Sequence, residues 1–491
     1  MKIISTFFIA LCICMQCFAQ EAPKPYGPLP TAGQLQWQET EMYTIIHYGP
    51  DTYTDKEWGY GDEDPKLFNP SSFSADQILG AVKAGGFKGI VVVAKHHDGF
   101  CLWPTKTTEH NISASPYKDG KGDIVAEYRK SADKLGLKMG VYCSPWDRNS
   151  AFYGKPEYVT NVYRKQLEEL YSNYGPLFII WHDGANGGDG YYGGAKEVRK
   201  IDRSNYYGWD TTWGIARRLQ PNAAIFGDVG PDVRWVGNEA GHAGETCWAT
   251  YTPHAPEAGK APGNGFTKDS EGTEGQRDGK FWMPAECDVP LRPGWFYHAN
   301  QDGKEKSADS LMNLYFWSVG HGACLDLGIS PNQTGRLSDG DVATLKAFGE
   351  KLKQTFAINL ATGATLKASN IRGYNAQKYG PAHLLDNDRY SYWATDDVVK
   401  SPELVVDLKE PKRFNVIRLR ENIKLGQRID SVEVDAWVND EWIKVAAATS
   451  IGGNRLIRLP YALTTSKVRL RISAAVCPAL SDFGLFLEPG K

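Results

Sequence analysis

The chain has 491 residues and a formal charge of −3 with both signs interspersed, so it carries no basic stripe of the kind that nucleic acid selects. Beyond the N-terminus no stretch reaches the roughly 18 uninterrupted apolar residues needed to span a bilayer. Of the cysteines, Cys12, Cys14 and Cys17 fall at the N-terminus; Cys101, Cys143, Cys247, Cys287, Cys324 and Cys477 lie far apart with no C-x-x-C pair, which argues against a zinc site or a disulfide framework.

Residues 1–19 combine an early lysine, an apolar run and a small residue at Ala19, the pattern of a cleaved secretory signal. They predict export, to the periplasm in a bacterium. A lipoprotein signal ending at Cys17 is the rival, but Met15 and Gln16 are poor matches to the small residues that lipid attachment requires. The remaining chain, about 470 residues, is too long for one core of ordinary size and predicts two domains.

Over residues 20–357 short apolar runs alternate with helical stretches. The runs are YTIIHYG (43–49), GIVVVAKHH (89–97), LKMGVYCSP (137–145), PLFIIWHDG (176–184), AAIFGDVG (223–230) and CLDLGISP (324–331). Helical spacing marks 74–86, 123–136 and 156–175, where Val159, Val162, Leu167, Leu170 and Tyr171 share a face. Apolar strands buried on both sides are those of a parallel sheet, and this length of alternation predicts a (β/α)8 barrel over a doubly wound open sheet. A helix over 338–356 closes the barrel. From 358 to 491 the helical signal gives way to short alternating strands (403–409, 415–422, 431–438, 441–448, 467–473), which predict an antiparallel β-sandwich. Gly- and Asp-rich stretches at 182–191 and 259–280 read as long surface loops.

The chemistry gathers at the predicted strand ends. Asp183 follows the strand IIW and precedes Gly184, which places a carboxylate on the rim of a barrel. An Asp there also caps a helix or opens a turn, so a second carboxylate decides the matter. Residues 230–251, read as a loop after the AAIFGD strand, supply Arg234, Trp235, Glu239 and Glu245. Two carboxylates let one attack an anomeric carbon while the other protonates the leaving oxygen and then activates water. His47, His96, His97 and Asp98 fall on the same rim. Adjacent histidines on an extended strand point to opposite faces, which favours hydrogen bonding to substrate over metal ligation. Fifteen tryptophans and 25 tyrosines suit a sugar cleft, where rings serve as stacking platforms.

The ordered set IIHYGP, KEWGYG, KHHDGF, IIWHDGANG, VRWVGNEAG and LDLGISP resembles the catalytic domain of glycoside hydrolase family 29, the α-L-fucosidases, over residues 24–356. The resemblance implies a barrel and a retaining mechanism without metal or other catalytic cofactor. It implies Asp183 as nucleophile and His47, Glu57, Trp58, His96, His97, Tyr142, Trp181 and Arg234 as the fucose pocket. The form GPDVRWVGNE resembles the subfamily that prefers α-1,3/1,4-linked fucose on Lewis-type glycans, which implies Glu239 as acid/base; Glu245 and Glu286 are the other candidates. Residues 187–210 lengthen the separation between Asp183 and the GNE motif beyond the expected spacing. The chemistry requires Asp183 ionised and Glu239 protonated, with the pKa of the latter raised by burial. Broad fucosidase activity on aryl, α-1,2 or α-1,6 fucosides, a hydrolase for a related sugar such as L-galactose, and a non-catalytic fucose-binding protein are the alternative readings. The C-terminal region resembles a discoidin-like, family 32 carbohydrate-binding module, more a buttress than a sugar site. Its DNDRYSYW loop implies a structural calcium near Asp386, although a turn rich in Asp and Asn also closes without an ion.

Overall fold

The computed structural model describes residues 21–490; the predicted signal at 1–19 lies outside them. Eight parallel strands close a barrel: β1 Met42–Ile46, β2 Gly89–Lys95, β3 Lys138–Cys143, β4 Ile179–Trp181, β5 Ala224–Gly227, β6 Val233–Trp235, β7 Ala285–Pro290 and β8 Cys324–Ile329. Each strand pairs with its neighbours in sequence, and β1 pairs with β8 to close the ring.

The apolar runs are buried throughout because their alternate residues serve two cores. Tyr43, Ile45, Val91, Val93, Ile179 and Phe226 fill the barrel interior. Ile46, Ile90, Val92, Val141, Ile180 and Ile225 face the outer layer of helices. Each such side chain contributes about 1.5–3 kcal/mol of burial, so a slip of register by one residue would exchange the two cores.

Outer helices follow β1 (Ala75–Ala84), β2 (Ile124–Leu135), β3 (Arg164–Asn173, opened by a wider turn over Tyr158–Tyr163), β4 (Trp209–Leu219), β7 (Ala308–Trp317) and β8 (Asp339–Phe356). Ser74, Asp123, Ser307 and Ser338 cap the first, second, fifth and sixth of these by accepting backbone N–H bonds. No outer helix follows β5 or β6. Residues 228–232 pass directly between those strands, and 236–284 run as an excursion with one short hairpin, Thr250–Tyr251 against Phe281–Trp282. The sequence reading of 230–251 as loop is corrected here: Val233–Trp235 is a barrel strand, too short for a visible apolar run.

The second domain is an antiparallel sheet of seven strands: β9 Thr365–Ala368, β10 Trp393–Ala394, β11 Glu403–Glu421, β12 Ile429–Val438, β13 Glu441–Thr449, β14 Arg455–Ala474 and β15 Ala479–Phe486. The predicted strands at 403–409 and 415–422 are one strand, β11. It and β14 pair with each other along both halves, with register shifts between Asp407 and Lys412 and between Phe414 and Val416. Those irregularities let the long strands bend, so the sheet folds over a core that includes Trp393, Leu404, Phe414, Val434, Leu470 and Phe483.

The two domains share a bonded interface on the helix-free side of the barrel. Thr246 Oγ1 and Thr449 Oγ1 are 2.7 Å apart, the Cys247 N–H donates to Ser450 Oγ at 2.8 Å, and the Ala249 N–H donates to Gln427 Oε1 at 2.8 Å. Arg277 grips Asp430 with two bonds, at 2.6 and 3.0 Å. Elsewhere in the interface Glu41 Oε1 accepts from Arg389 and Arg420, each at 3.1 Å. The six cysteines of the described residues are buried and free.

Candidate active site

Strand β4 ends at Trp181, and its alternation continues for two residues. Trp181 and Asp183 face a cavity of about 560 Å³ at the C-terminal mouth of the barrel. His182 faces away, with its Nδ1 2.8 Å from the Tyr163 hydroxyl. Asp183 is held by two donors: Tyr142 on β3 gives its hydroxyl to Oδ2 at 2.9 Å, and the Ala185 N–H donates to Oδ1 at 2.6 Å. Gly184 lets this turn form, because a Cβ there would stand 1.9 Å from Asp228 Oδ2. Burial pushes the Asp183 carboxyl above its ordinary range, opposed by the Ala185 N–H, the nearby His96 and the Tyr142 hydroxyl. Trp181 stacks on Phe226, ring centroids 4.1 Å apart, and donates from Nε1 to Glu286 Oε1 at 2.7 Å.

His47, at the end of β1, and His96 and His97, past the end of β2, all line the same cavity. The expected divergence of His96 and His97 does not occur. Strand β2 stops at Lys95, so the two-residue alternation no longer governs them, and their ring centroids are 4.1 Å apart. Below them Lys95 is buried and satisfied by Asp147 (3.1 Å), Tyr158 (3.0 Å) and Gln166 (2.9 Å). Burial, aided by neighbouring charges, holds His47 and His97 well below the ordinary histidine range, so both are neutral. Ser144 donates its hydroxyl to the Trp146 carbonyl at 2.8 Å, so at 2.7 Å it accepts from His97 Nδ1. His97 Nε2 is then an acceptor, 3.9 Å from Asp183 Oδ2 and available to a sugar hydroxyl. Trp58 closes this wall, its ring edge-to-face with His97 at 5.5 Å.

The opposite wall comes from β5 to β7. Glu239 sits on the loop after β6, two residues beyond Gly237, whose φ of +89° and contact with the Asp269 carbonyl admit no side chain. Burial pushes the Glu239 carboxyl upward, the charges of Asp183 and Glu57 add to this, and a hydrogen bond from the Trp295 side chain opposes it. Three wall residues carry chemistry that sequence reasoning missed. Asp228, at the end of β5, is pushed up to about 7 by burial and by Asp183, and accepts from the Gly265 N–H at 2.9 Å. Asp288 is pushed up to about 8 by burial and accepts from Trp235 Nε1 at 2.7 Å. Trp295 lies 5.1 Å from His47, centroid to centroid. The i, i+2 pair Glu286 and Asp288 in AECDVP was a legible sign of an alternating strand at the rim.

Five rim or pocket residues named from the sequence do not line the cavity; one of them, Asp98, is buried beside Asp51 and Glu63. Arg234 is fully buried and donates outward from the barrel to the carbonyls of Gly272 and Met283, because its position on β6 turns it toward the excursion. Glu57 stands behind the wall, where it accepts from the Trp295 N–H at 2.8 Å. Glu245 belongs to the domain interface, bonded through its carbonyl and carboxylate to Arg455. Glu286 is wholly buried beneath Trp181. Residues 187–210 fold against the barrel, Tyr191 N–H to the Tyr60 carbonyl at 3.1 Å and Arg199 to the Ala151 carbonyl at 2.8 Å, and contribute Arg203 to the mouth.

Among the described residues one acidic group has metal-like proximity: oxygens of Asp51, Glu63 and Asp98 lie within 4.8 Å of one another. Glu63 is already occupied by Lys56 Nζ and the N–H groups of Tyr60 and Gly61. Burial and the charges of Asp51 and Glu63 push the Asp98 carboxyl well above its ordinary range, and its Oδ1 accepts from the Phe100 N–H at 3.2 Å. At Asp386 the carboxylate takes His383 Nδ1 (3.0 Å), the Ser391 hydroxyl (2.8 Å) and the Asp388 N–H (2.9 Å). These bonds close an Asx turn around the Asp386 carboxylate.

Comparison with known proteins identifies both domains. The alpha-L-fucosidase family model matches residues 26–355, and the F5/8 type C domain model matches 365–480. Alpha-L-fucosidase 1 of Arabidopsis thaliana is 38% identical over 469 residues, which cover 95% of this chain and 89% of the relative. Among solved structures, a glycoside hydrolase 29 family member from an unknown rumen bacterium is 39% identical with a TM-score of 0.83, covering 95% of this chain and 79% of that one. A Ruminococcus gnavus GH29 fucosidase in complex with fucose is 30% identical with a TM-score of 0.84, covering 97% and 98%.

Proposed function

The chain belongs to the α-L-fucosidase family, glycoside hydrolase family 29, and from that premise we propose that it is a retaining exo-enzyme acting on α-1,3/1,4-linked fucose of Lewis-type glycans. Asp183 attacks the anomeric carbon to form a glycosyl-enzyme, while Glu239 protonates the departing oxygen. Glu239 then takes a proton from water as the water displaces Asp183. The supporting observation is that one cavity joins Asp183, fixed by Tyr142 and Ala185, to Glu239, a solvent-exposed residue on the facing loop whose carboxyl is pushed upward by partial loss of water and by the charges of Asp183 and Glu57.

Neutral His47 and His97, with Trp58, Trp181 and Trp295, offer ring faces and N–H or lone-pair partners to a deoxy sugar with three ring hydroxyls. The branched-glycan preference rests on the mouth, where Arg203 and the segment 256–269 extend the cavity beyond the size of one sugar. None of these steps requires a metal or organic cofactor. The second domain, in this reading, buttresses the helix-free side of the barrel, and residues 1–19 direct the protein out of the cytoplasm. Among the described residues no helix is long and apolar enough to cross a membrane.

Product analysis with linkage-defined fucosyl oligosaccharides tests the proposal. Faster release of fucose from Lewis trisaccharides than from an aryl fucoside supports it; equal or better cleavage of the aryl fucoside overturns the linkage assignment.

A further inference from the structure

His298 lies outside the cavity, on the segment that follows Trp295, and both of its ring nitrogens meet carboxylates. Nδ1 is 2.6 Å from Asp55 Oδ1 and Nε2 is 2.6 Å from Glu57 Oε1. An ionised carboxylate only accepts, and a neutral imidazole has one N–H to give. With both carboxylates ionised, two such bonds call for the imidazolium. The ring is largely buried, and the two acids hold it above the ordinary histidine range against the penalty of burial.

The partners connect the two aromatic walls of the pocket. Asp55 and Glu57 stand three residues and one residue before Trp58, which packs on His97. Glu57 also accepts the N–H of Trp295 at 2.8 Å and of Phe296 at 3.4 Å, and both of those rings pack on His47, with centroids 5.1 and 5.4 Å away. We propose that His298, as an imidazolium bridging Asp55 and Glu57, is a positioning residue that fixes the spacing of Trp58 and Trp295 and so sets the affinity for the fucosyl unit.

The charged groups around it are few. Asp55 and Glu57 face it from the segment after β1, where Lys56 turns away to Glu63. On its own segment Asp302 is taken by Tyr297 and Arg292, and Arg292 also binds Asp341. With a raised pKa, the bridge is complete at acidic and neutral pH. It loses one of its two bonds as pH rises through the histidine's folded value.

The inference rests on the pocket assignment above, so its test separates the two. KM and kcat for an aryl α-L-fucoside are measured from pH 5 to 9.5 in the wild type, His298→Gln and Asp55→Asn, with ring-nitrogen NMR of His298 in the wild type. Asn tolerates the left-handed φ of +57° at position 55, so that variant keeps the backbone. The expected wild-type result is a flat KM at low pH that rises about three- to tenfold at alkaline pH. His298→Gln shows the high KM throughout while kcat keeps its pH limbs, and Asp55→Asn moves the rise to lower pH. NMR shows both ring nitrogens protonated at neutral pH. A singly protonated ring at neutral pH, or a His298→Gln enzyme with wild-type KM at every pH, overturns the bridge. Full activity in Asp183→Asn would instead remove the pocket assignment and leave the NMR result standing.

Discussion

The two halves of the barrel hold their catalytic groups by different means. Strands β1 to β4 are each backed by a helix, and the groups there are held at strand ends, Asp183 by the Tyr142 hydroxyl and the Ala185 N–H and His97 by the Ser144 hydroxyl. On the side of β5 and β6 no helix follows the strands. Glu239 rides on the loop that begins the 236–284 excursion, and that excursion is bonded to the second domain through Thr246, Cys247, Ala249 and Arg277. A group on a strand end inherits the rigidity of the sheet, whereas a group on a loop is only as fixed as what supports the loop. In the proposed mechanism the nucleophile, Asp183, is held by the barrel alone and the acid/base, Glu239, by the barrel together with its neighbour.

The largest effect expected is at the nucleophile. Asp183→Asn should lower kcat/KM on the order of 10⁴-fold or more with little change in melting temperature, since the Asn oxygen can still accept the Ala185 N–H and its NH2 can donate to the Tyr142 hydroxyl, which is able to accept. Glu239→Ala should cost about 10²–10⁴-fold on a natural glycan and far less on an aryl fucoside with a good leaving group, with azide restoring activity. If Glu245→Ala or Glu286→Gln shows that signature instead, the acid/base assignment falls. The pH profile follows with its signs: kcat/KM declines as pH falls through the raised Asp183 value and as pH rises through the raised Glu239 value.

Smaller effects report on the support. Arg455→Ala removes the partner of Glu245 at a buried site and should destabilise by about 2–3 kcal/mol, measured by denaturant unfolding. Its kcat should fall a few-fold through the Glu239 loop, and an unchanged kcat would dissolve the distinction between the two halves. Glu41 is the acid-side probe. Although burial works against its charge, Arg420, Lys88 and Arg389 hold it down at about 2. Because its folded pKa is depressed, its contribution is present above the ordinary value of 4.5 and is lost as pH falls toward 2. Glu41→Gln should remove about 3 kcal/mol at neutral pH and flatten that acid loss.

Much of the barrel was legible because its strands are buried on both sides and so appear as unbroken apolar runs; the helices at 75–84, 124–135 and 339–356 were legible from their spacing. The short strand β6 was not, since VRW has too few residues to set a period. His96 and His97 were assigned to opposite faces because the end of β2 at Lys95 has no mark in the sequence. Asp228 and Asp288 escaped notice for a related reason: a carboxyl becomes unusual through what surrounds it, and those neighbours come from Gly265, Trp235 and Asp183, distant in the chain.

By itself the sequence determined the alternation of strands and helices, the change to a β-rich domain, and the strand-end position of Asp183, because these follow from local periodicity and backbone chemistry. Only the tertiary structure decided which of three glutamates shares a cavity with Asp183, that the second domain backs the helix-free side, and that His298 bridges two loops. Those facts depend on distance in space and on the loss of water around charged groups, neither of which a linear pattern carries.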